Sequence, residues 1–158
     1  MKRRRLSNLV LCSAVVCLAP LGCGKNGSGE GAARETEIAS HSEMLRHFER
    51  QNPEKGIIKW AEADLNNDGR QDCIVMYRVD KDKNMMRVIL DLESGYFDTN
   101  EVPAPHSDQV IQLRDIDRKP PMEFIVQGAK GARLGFAVFR IEGNRLTDLF
   151  GEGMEDCC

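Results

Sequence analysis

The feature that most constrains the fold is a series of short runs, rich in β-branched and apolar residues, that begins near residue 56. The runs cover residues 57–63, 72–79, 85–92, 109–113, 123–126, 134–141 and 145–150. Runs of this kind, bounded by polar or glycine-containing segments, are typical of strands. The connections are short enough for hairpins, so neighbouring strands should pair antiparallel. The pattern predicts a mainly β domain.

An internal repeat organises these runs. The segment 64–72 has an echo 51 residues later at 115–123, with the same spacing between its acidic ends. A second echo relates 91–93 to 140–142 at an offset of 49. Repeats of about 50 residues are typical of propeller blades and similar four-stranded units. We therefore expect two antiparallel four-stranded blade-like repeats.

One N-terminal helix is expected to pack on these repeats. Ser40 followed by Glu43 has the form of a capping box, apolar residues recur at helical spacing, and Asn52-Pro53 ends the run. The expected order is a signal peptide at 1–22, a tether at 23–35 and a β domain at 36–158, with the helix at about 40–52, repeat one at about 56–105, repeat two at about 106–152 and a Cys-Cys tail.

The loop at 64–72 reads Asp-Leu-Asn-Asn-Asp-Gly-Arg-Gln-Asp and has the oxygen-rich character of a Ca²⁺ site. Gly69 stands where such a loop turns back, because glycine reaches positive φ at little cost. The predicted metal ligands are the side chains of Asp64, Asn66, Asp68 and Asp72 and the carbonyl of Arg70. An EF-hand is excluded because position twelve is Val75, within a predicted strand. The alternative is a metal-free Asp-Gly turn.

The second loop, at 115–123, is expected to have lost its metal. Lys119 replaces the carboxylate at position five, that of Asp68, and Pro120 replaces the glycine, and the fixed φ of proline cannot make that turn. The charge of Lys119 is expected to stand in for part of the missing metal charge.

The pattern Asp-x-Asn-x-Asp-Gly-x-x-Asp followed by a hydrophobic strand resembles the calcium loop of FG-GAP and VCBS repeats, the blade units of integrin-type β-propellers. The resemblance covers residues 56–150 and implies Ca²⁺ held between two strands of a blade. Two units cannot close a propeller, which typically uses four to eight blades. The blades should either pack as a compact sandwich with the helix on an open face, or present an open edge to a partner.

The N-terminus has the features of an export signal. Four basic residues at 2–5 precede an apolar stretch at 9–21 that is too short to span a bilayer comfortably. The sequence Pro20-Leu21-Gly22-Cys23 resembles the lipobox of bacterial lipoproteins, which implies lipidation of Cys23. The next residue is Gly24 rather than Asp, which by the same resemblance implies attachment to the outer membrane, facing the periplasm or the exterior. A plain cleaved secretory signal is the alternative.

Charge narrows the classes of partner. The net charge is −3 for the whole chain, and residues 1–22 carry four of the positive charges and no negative ones, so removing them leaves −3 − 4 = −7. An acidic chain without a basic patch is not expected to bind nucleic acid. The expected contacts are the membrane, through the lipid, and a protein partner in the envelope whose identity the sequence does not give.

Of the six cysteines, Cys12 and Cys17 leave with residues 1–22 and Cys23 is assigned to lipid, so three remain in the mature chain. A disulfide from Cys73 to Cys157 or Cys158 would tie the tail to the strand after the calcium loop. The alternative is that the tail pair exchanges disulfides or relays a soft metal.

No catalytic constellation is visible. The sequence therefore favours a non-enzymatic, calcium-binding envelope module with a protein-binding or scaffolding role, with a thiol-active lipoprotein as the alternative.

Overall fold

The computed structural model describes residues 42–152. The signal peptide at 1–22, the tether at 23–35, Cys23 and the tail pair Cys157 and Cys158 lie outside the described residues. No helix among residues 42–152 is long and apolar enough to cross a bilayer.

The one helix of the described residues, α1, spans Glu43–Gln51. Ser42 caps it, because the Ser42 side chain accepts a hydrogen bond from the Leu45 N–H at 3.3 Å. The predicted capping box of Ser40 and Glu43 is therefore wrong: Glu43 is the first helical residue, and its carboxylate pairs with Arg46 one turn on. The helix was expected at about 40–52, and in the structure it has nine residues.

The described residues form two antiparallel sheets, which confirms the mainly β prediction. The nine strands are β1 (Ile57–Ala63), β2 (Asp72–Asp80), β3 (Lys83–Leu92), β4 (Gly95–Asp98), β5 (Val102–Ala104), β6 (Ser107–Leu113), β7 (Phe124–Lys130), β8 (Arg133–Glu142) and β9 (Arg145–Glu152). The first sheet has the order β1-β2-β3-β4, with β5 also paired to β3, and the second has the order β6-β7-β8-β9. The first sheet thus has five strands, because β4 and β5 pair with different parts of the long β3.

Strand register defines which residues of the two sheets correspond. Cys73 pairs with Ile89 in the first sheet, and Phe124 pairs with Phe139 in the second. Corresponding residues are therefore 51 apart in β2 and β7, as the sequence echo gives, but 50 apart in β3 and β8. The offset of 49 expected for the second echo is wrong by one residue. Arg140 consequently corresponds to Leu90.

The helix covers one face of the first sheet. The contacting residues are Met44, Leu45 and Phe48 of α1 and Cys73, Val75, Tyr77 and Ile89 of the sheet. Phe48 packs on Tyr77 with ring centroids 4.8 Å apart. Burial of each large apolar side chain contributes about 1.5–3 kcal/mol, so this packing holds α1 in place.

The other face of the first sheet packs on the second sheet and forms the main core. The residues that meet are Ile74, Met76, Met86, Val88 and Leu90 from the first sheet and Phe124, Val126, Ala137 and Phe139 from the second. Phe124 corresponds to Cys73, so the second sheet meets the first with the face that the first sheet turns to α1. The sheets therefore stack head to tail rather than about a two-fold axis.

Candidate metal centre

The first loop joins β1 to β2 and is closed by its own side chains. The Asp64 carboxylate accepts hydrogen bonds from the Asp68 N–H at 3.2 Å and the Gly69 N–H at 2.9 Å. Asn66 contacts Asp68 twice: its side-chain oxygen accepts from the Asp68 N–H, and its amide nitrogen donates to the Asp68 carboxylate, both at 3.0 Å. Gly69 adopts a φ of 85°, as the turn-back prediction requires. Asp64, Asn66 and Asp68 therefore lie together on one side of the loop.

Asp72 takes a different position. Its side chain is fully buried, with one oxygen accepting from the Leu65 N–H at 2.9 Å and the other from the Asp91 N–H at 3.0 Å. Burial raises the pKa of the Asp72 carboxyl, the two N–H donors lower it, and the negative charge of Asp68 raises it further. Among residues 42–152 no cation forms an ion pair with Asp72, so its charge is met by backbone dipoles alone.

Arg70 was predicted to contribute its carbonyl. Its guanidinium lies on the outside of the loop, 3.8 Å from the Asp91 carboxylate and 4.0 Å from that of Glu93. These exposed pairs are too loose to neutralise the loop to a useful degree.

The second loop, between β6 and β7, retains part of this geometry. Its terminal acid, Glu123, is buried and accepts from the Ile116 N–H at 2.9 Å, as Asp72 does from Leu65. Arg118 has a φ of 60°, matching 63° for Asn67 at the corresponding position. The first loop has a second residue with positive φ, Gly69. The corresponding residue of the second loop is Pro120.

Three acidic side chains of the second loop come close together. The oxygens of Asp115, Asp117 and Glu123 lie within 4.8 Å of one another, and no other group of three potential ligands among residues 42–152 is as close. The prediction placed the ligand set in the first loop, yet Asp64, Asp68 and Asp72 are more widely spaced. To share one ion, these three carboxylates would have to rotate towards each other, which solvent-accessible Asp64 and Asp68 can do more easily than buried Asp72.

A guanidinium already occupies the second loop. One nitrogen of Arg140 donates to Glu123 at 3.0 Å and to Asp117 at 3.2 Å, and the other donates to Glu142 at 3.0 Å. These carboxylates raise the pKa of Arg140, with Glu142 the largest cause. The prediction that Lys119 supplies the compensating charge is wrong, because β8 delivers Arg140 directly opposite Glu123. Only the strand register could have identified this residue.

Both loops open on the same side of the molecule. A groove of about 770 Å³ separates them, bounded by Asn66 and Asp68 on one wall and by Asp117 and Lys119 on the other. Residues 141–144, at the end of β8 and in the turn to β9, also line it. The two candidate sites are thus neighbours with opposite charge balance.

The remaining predicted site residue within the described range is Cys73. Its thiol is fully buried beneath α1, and burial raises its pKa, with further increases from Glu62 and Asp72. A thiol held in this form is a poor nucleophile. The predicted disulfide partners, Cys157 and Cys158, lie outside the described residues.

A second polar cluster lies near the helix, where Arg87 pairs with Glu101 beside the buried Tyr77. Lys55 approaches the same Glu101 at 3.4 Å and lies over the Tyr77 ring. His47 of α1 lies 3.6 Å from Asp98. These contacts join the helix, β3, β4 and the segment before β5, and we assign them a structural role.

No family model, curated protein or solved structure matches this chain.

Proposed function

We propose that this chain is a lipid-anchored, calcium-binding β-repeat module of the bacterial cell envelope that binds or scaffolds a protein and catalyses no reaction. The observation that carries the proposal is the charge balance of the first loop. Buried Asp72 has no cationic partner among the described residues, and the position that holds Arg140 in the second sheet holds apolar Leu90 in the first. A divalent cation would supply the charge that the fold does not.

The donors of the first loop suit a hard cation. Ca²⁺ prefers six to eight oxygens, and each carboxylate oxygen can accept a hydrogen bond and still contact an ion. The ligands would be Asp64, Asn66, Asp68 and Asp72 with the carbonyl of Arg70, completed by water. Calcium would supply charge neutralisation and fix the angle between β1 and β2. We expect the weak affinity of extracellular modules, a Kd of about 10⁻⁴ to 10⁻³ M.

The proposal extends the resemblance to FG-GAP and VCBS blades and is supported by the antiparallel sheets and their head-to-tail stacking. It assigns the anchor to Cys23 and the location to the outer membrane, facing the periplasm or the exterior. Labelled palmitate should be incorporated into the parent chain and not into Cys23→Ser. A labelled Cys23→Ser chain would refute the anchor without touching the calcium site.

Melting curves in calcium and in chelator test the metal site. A ligand at a hundredfold excess over its Kd stabilises the folded state by about 2.7 kcal/mol, which raises Tm by on the order of 10 °C in a domain of this size. With a Kd of about 10⁻⁴ to 10⁻³ M, a hundredfold excess is about 10 to 100 mM Ca²⁺, and an unchanged Tm at that concentration would rule the proposal out.

Two variants locate the effect. Asp68→Ala should abolish the calcium-dependent rise in Tm, because it removes an exposed carboxylate of the first loop. Asp117→Ala, the matched control, removes an exposed carboxylate that Arg140 neutralises in the second loop and should leave the rise intact. The reverse result would move the site to the second loop.

A further inference from the structure

The two faces of the first sheet are buried in different ways. One face packs on the second sheet through apolar side chains. The other face is covered by α1, which has nine residues. A helix of that length is not stable by itself in water, so its attachment depends on how well it matches the sheet beneath it.

Buried polar atoms without a hydrogen-bond partner are concentrated on the face that α1 covers. Among residues 42–152 there are four such side-chain atoms, Glu62 Oε1, Tyr77 Oη, Arg87 Nε and Asp98 Oδ1. Tyr77 belongs to the cluster that packs on α1, and the other three residues pair across strands with members of that cluster. Residues paired in this way lie on the same face of a sheet, so all four are on the side of α1.

The charged groups around these atoms do not supply the missing hydrogen bonds. The Tyr77 hydroxyl lies beside Arg87 and Glu101, but these two pair with each other and neither meets the hydroxyl in hydrogen-bonding geometry. One oxygen of Asp98 lies 3.6 Å from Arg87 and 3.6 Å from His47 of α1, which is longer than a hydrogen bond. Burying a polar group without a hydrogen bond costs free energy, which is regained when water reaches the group.

We propose that α1 is a displaceable cover, which leaves the first sheet as a unit while the two sheets stay folded. The apolar contacts of Met44, Leu45 and Phe48 favour the closed state, and hydration of the four polar atoms favours the open state. The Arg78 N–H of β2 donates to the Gly56 carbonyl at 2.9 Å, so the sheet holds the chain from residue 56 onward. The opening therefore takes place before residue 56.

The opening would control access to the face by which the repeat stacks. Cys73 and Ile89, beneath α1, correspond to Phe124 and Phe139 of the second sheet, which pack on the first sheet. In the first sheet α1 thus takes the place of a preceding sheet. The proposal does not rest on calcium, because no residue of the loop at 64–72 belongs to the cluster that packs on α1.

The Cys73 thiol reports the opening, because it is fully buried in the cluster with α1 and reacts only where a reagent reaches it. The test is alkylation of the reduced full chain by iodoacetamide in mild detergent, at one pH and one calcium concentration. Mass spectrometry of the peptide that contains Cys73 separates it from the other cysteines. We expect Cys73 to react at least about tenfold faster than the globally unfolded population, measured by urea denaturation, allows.

A matched pair of variants separates local opening from global unfolding. Phe48 of α1 and Phe139 of the sheet-to-sheet core are both buried. Phe48→Leu should speed the alkylation of Cys73 about tenfold, and Phe139→Leu should leave it unchanged. Tyr77→Phe should slow it about fivefold or more, because it removes a hydroxyl that has no partner in the closed state.

Three results would overturn the proposal. The first is equal acceleration by Phe48→Leu and Phe139→Leu, and the second is a Tyr77→Phe chain that reacts as fast as the parent or faster. The third needs no variant: in hydrogen exchange of the parent chain, the amides of α1 should exchange faster than those of β2, and equal protection would contradict a separate opening. Urea denaturation verifies that each variant is folded.

Discussion

The two acidic loops begin with the same spacing and reach opposite charge balances. In the second loop, the guanidinium of Arg140 lies 3.0 Å from Glu123 and 3.2 Å from Asp117. In the first loop, Leu90 stands at the corresponding position and faces the core, so the strand delivers no cation to Asp72. The comparison teaches that one strand residue, opposite the last acid of the loop, decides whether the fold neutralises the loop internally or leaves the charge for an external ion.

Both loops nonetheless share one structural contact. The buried acid at the end of each loop accepts a hydrogen bond from the residue seven positions earlier, Leu65 for Asp72 and Ile116 for Glu123, both at 2.9 Å. This contact ties the start of the loop to the strand that follows it. The last acid therefore has a structural role in both copies.

The largest expected effect comes from removing that contact in the first loop. Asp72→Ala leaves the N–H groups of Leu65 and Asp91 without acceptors, and each unsatisfied buried group costs about 1–3 kcal/mol. We expect the free energy of unfolding in chelator to fall by about 2–4 kcal/mol, measured by urea denaturation. Asp72→Asn keeps one acceptor oxygen and should lose less. A loss below about 1 kcal/mol for Asp72→Ala would mean that Asp72 serves the ion alone.

A smaller loss of stability in chelator is expected when the second loop is made to resemble the first. Arg140→Leu installs the residue found at the corresponding position of the first sheet and leaves Asp115, Asp117 and Glu123 close together without a cation. The variant should melt below the parent in chelator and gain more from Ca²⁺ than the parent does. Arg145→Leu, an exposed arginine on β9, is the control. If calcium fails to rescue Arg140→Leu, loop geometry rather than charge limits binding in the second copy.

Most strands of both sheets could be predicted from the sequence, because apolar runs and the turn residues between them act locally. Six of the seven predicted runs fall within strands, and the seventh, 123–126, begins one residue before β7, whereas β4 and β5 were missed, being only four and three residues long, with Pro103 inside β5. The helix was found, but Ser42 rather than Ser40 caps it, since two serines compete within three residues. The local sequence pattern does not show which of two nearby serines caps the helix.

The parts that could not be predicted depend on contacts distant in sequence. Arg140 lies 17 residues from Glu123, and only the β7–β8 register reveals that they face each other. The same holds for the stacking of the sheets: both faces of β2 are apolar, so its sequence does not say which one meets α1 and which one meets the second sheet.

The pH dependence of stability should also report on Asp72 of the first loop. Burial raises the pKa of Asp72 above its usual 3.8, so in chelator the folded state binds that proton more tightly than the unfolded state. The stabilisation from this proton is complete at pH values below the pKa that Asp72 has in the unfolded state. It is lost as the pH rises through the higher pKa that Asp72 has in the folded state. Urea denaturation in chelator should show this loss in the interval just above pH 3.8, and Asp72→Asn should remove that component. Saturating Ca²⁺ should reverse it, because the ion requires the carboxylate; an unchanged slope in Asp72→Asn would contradict the assignment.

The smallest effect is expected at Lys119, the residue that the sequence alone favoured as the substitute for metal charge. Its ammonium forms no ion pair among the described residues, while its backbone N–H donates to Asp117 at 2.9 Å, a contact that any non-proline side chain preserves. Lys119→Ala should therefore change the free energy of unfolding by no more than about 0.5 kcal/mol and leave the calcium-dependent rise in Tm intact. Urea denaturation of Lys119→Ala and of Arg140→Leu under the same conditions compares their losses of free energy of unfolding directly. If Lys119→Ala proved the more damaging of the two, the neutralising role assigned to Arg140 would have to be given up.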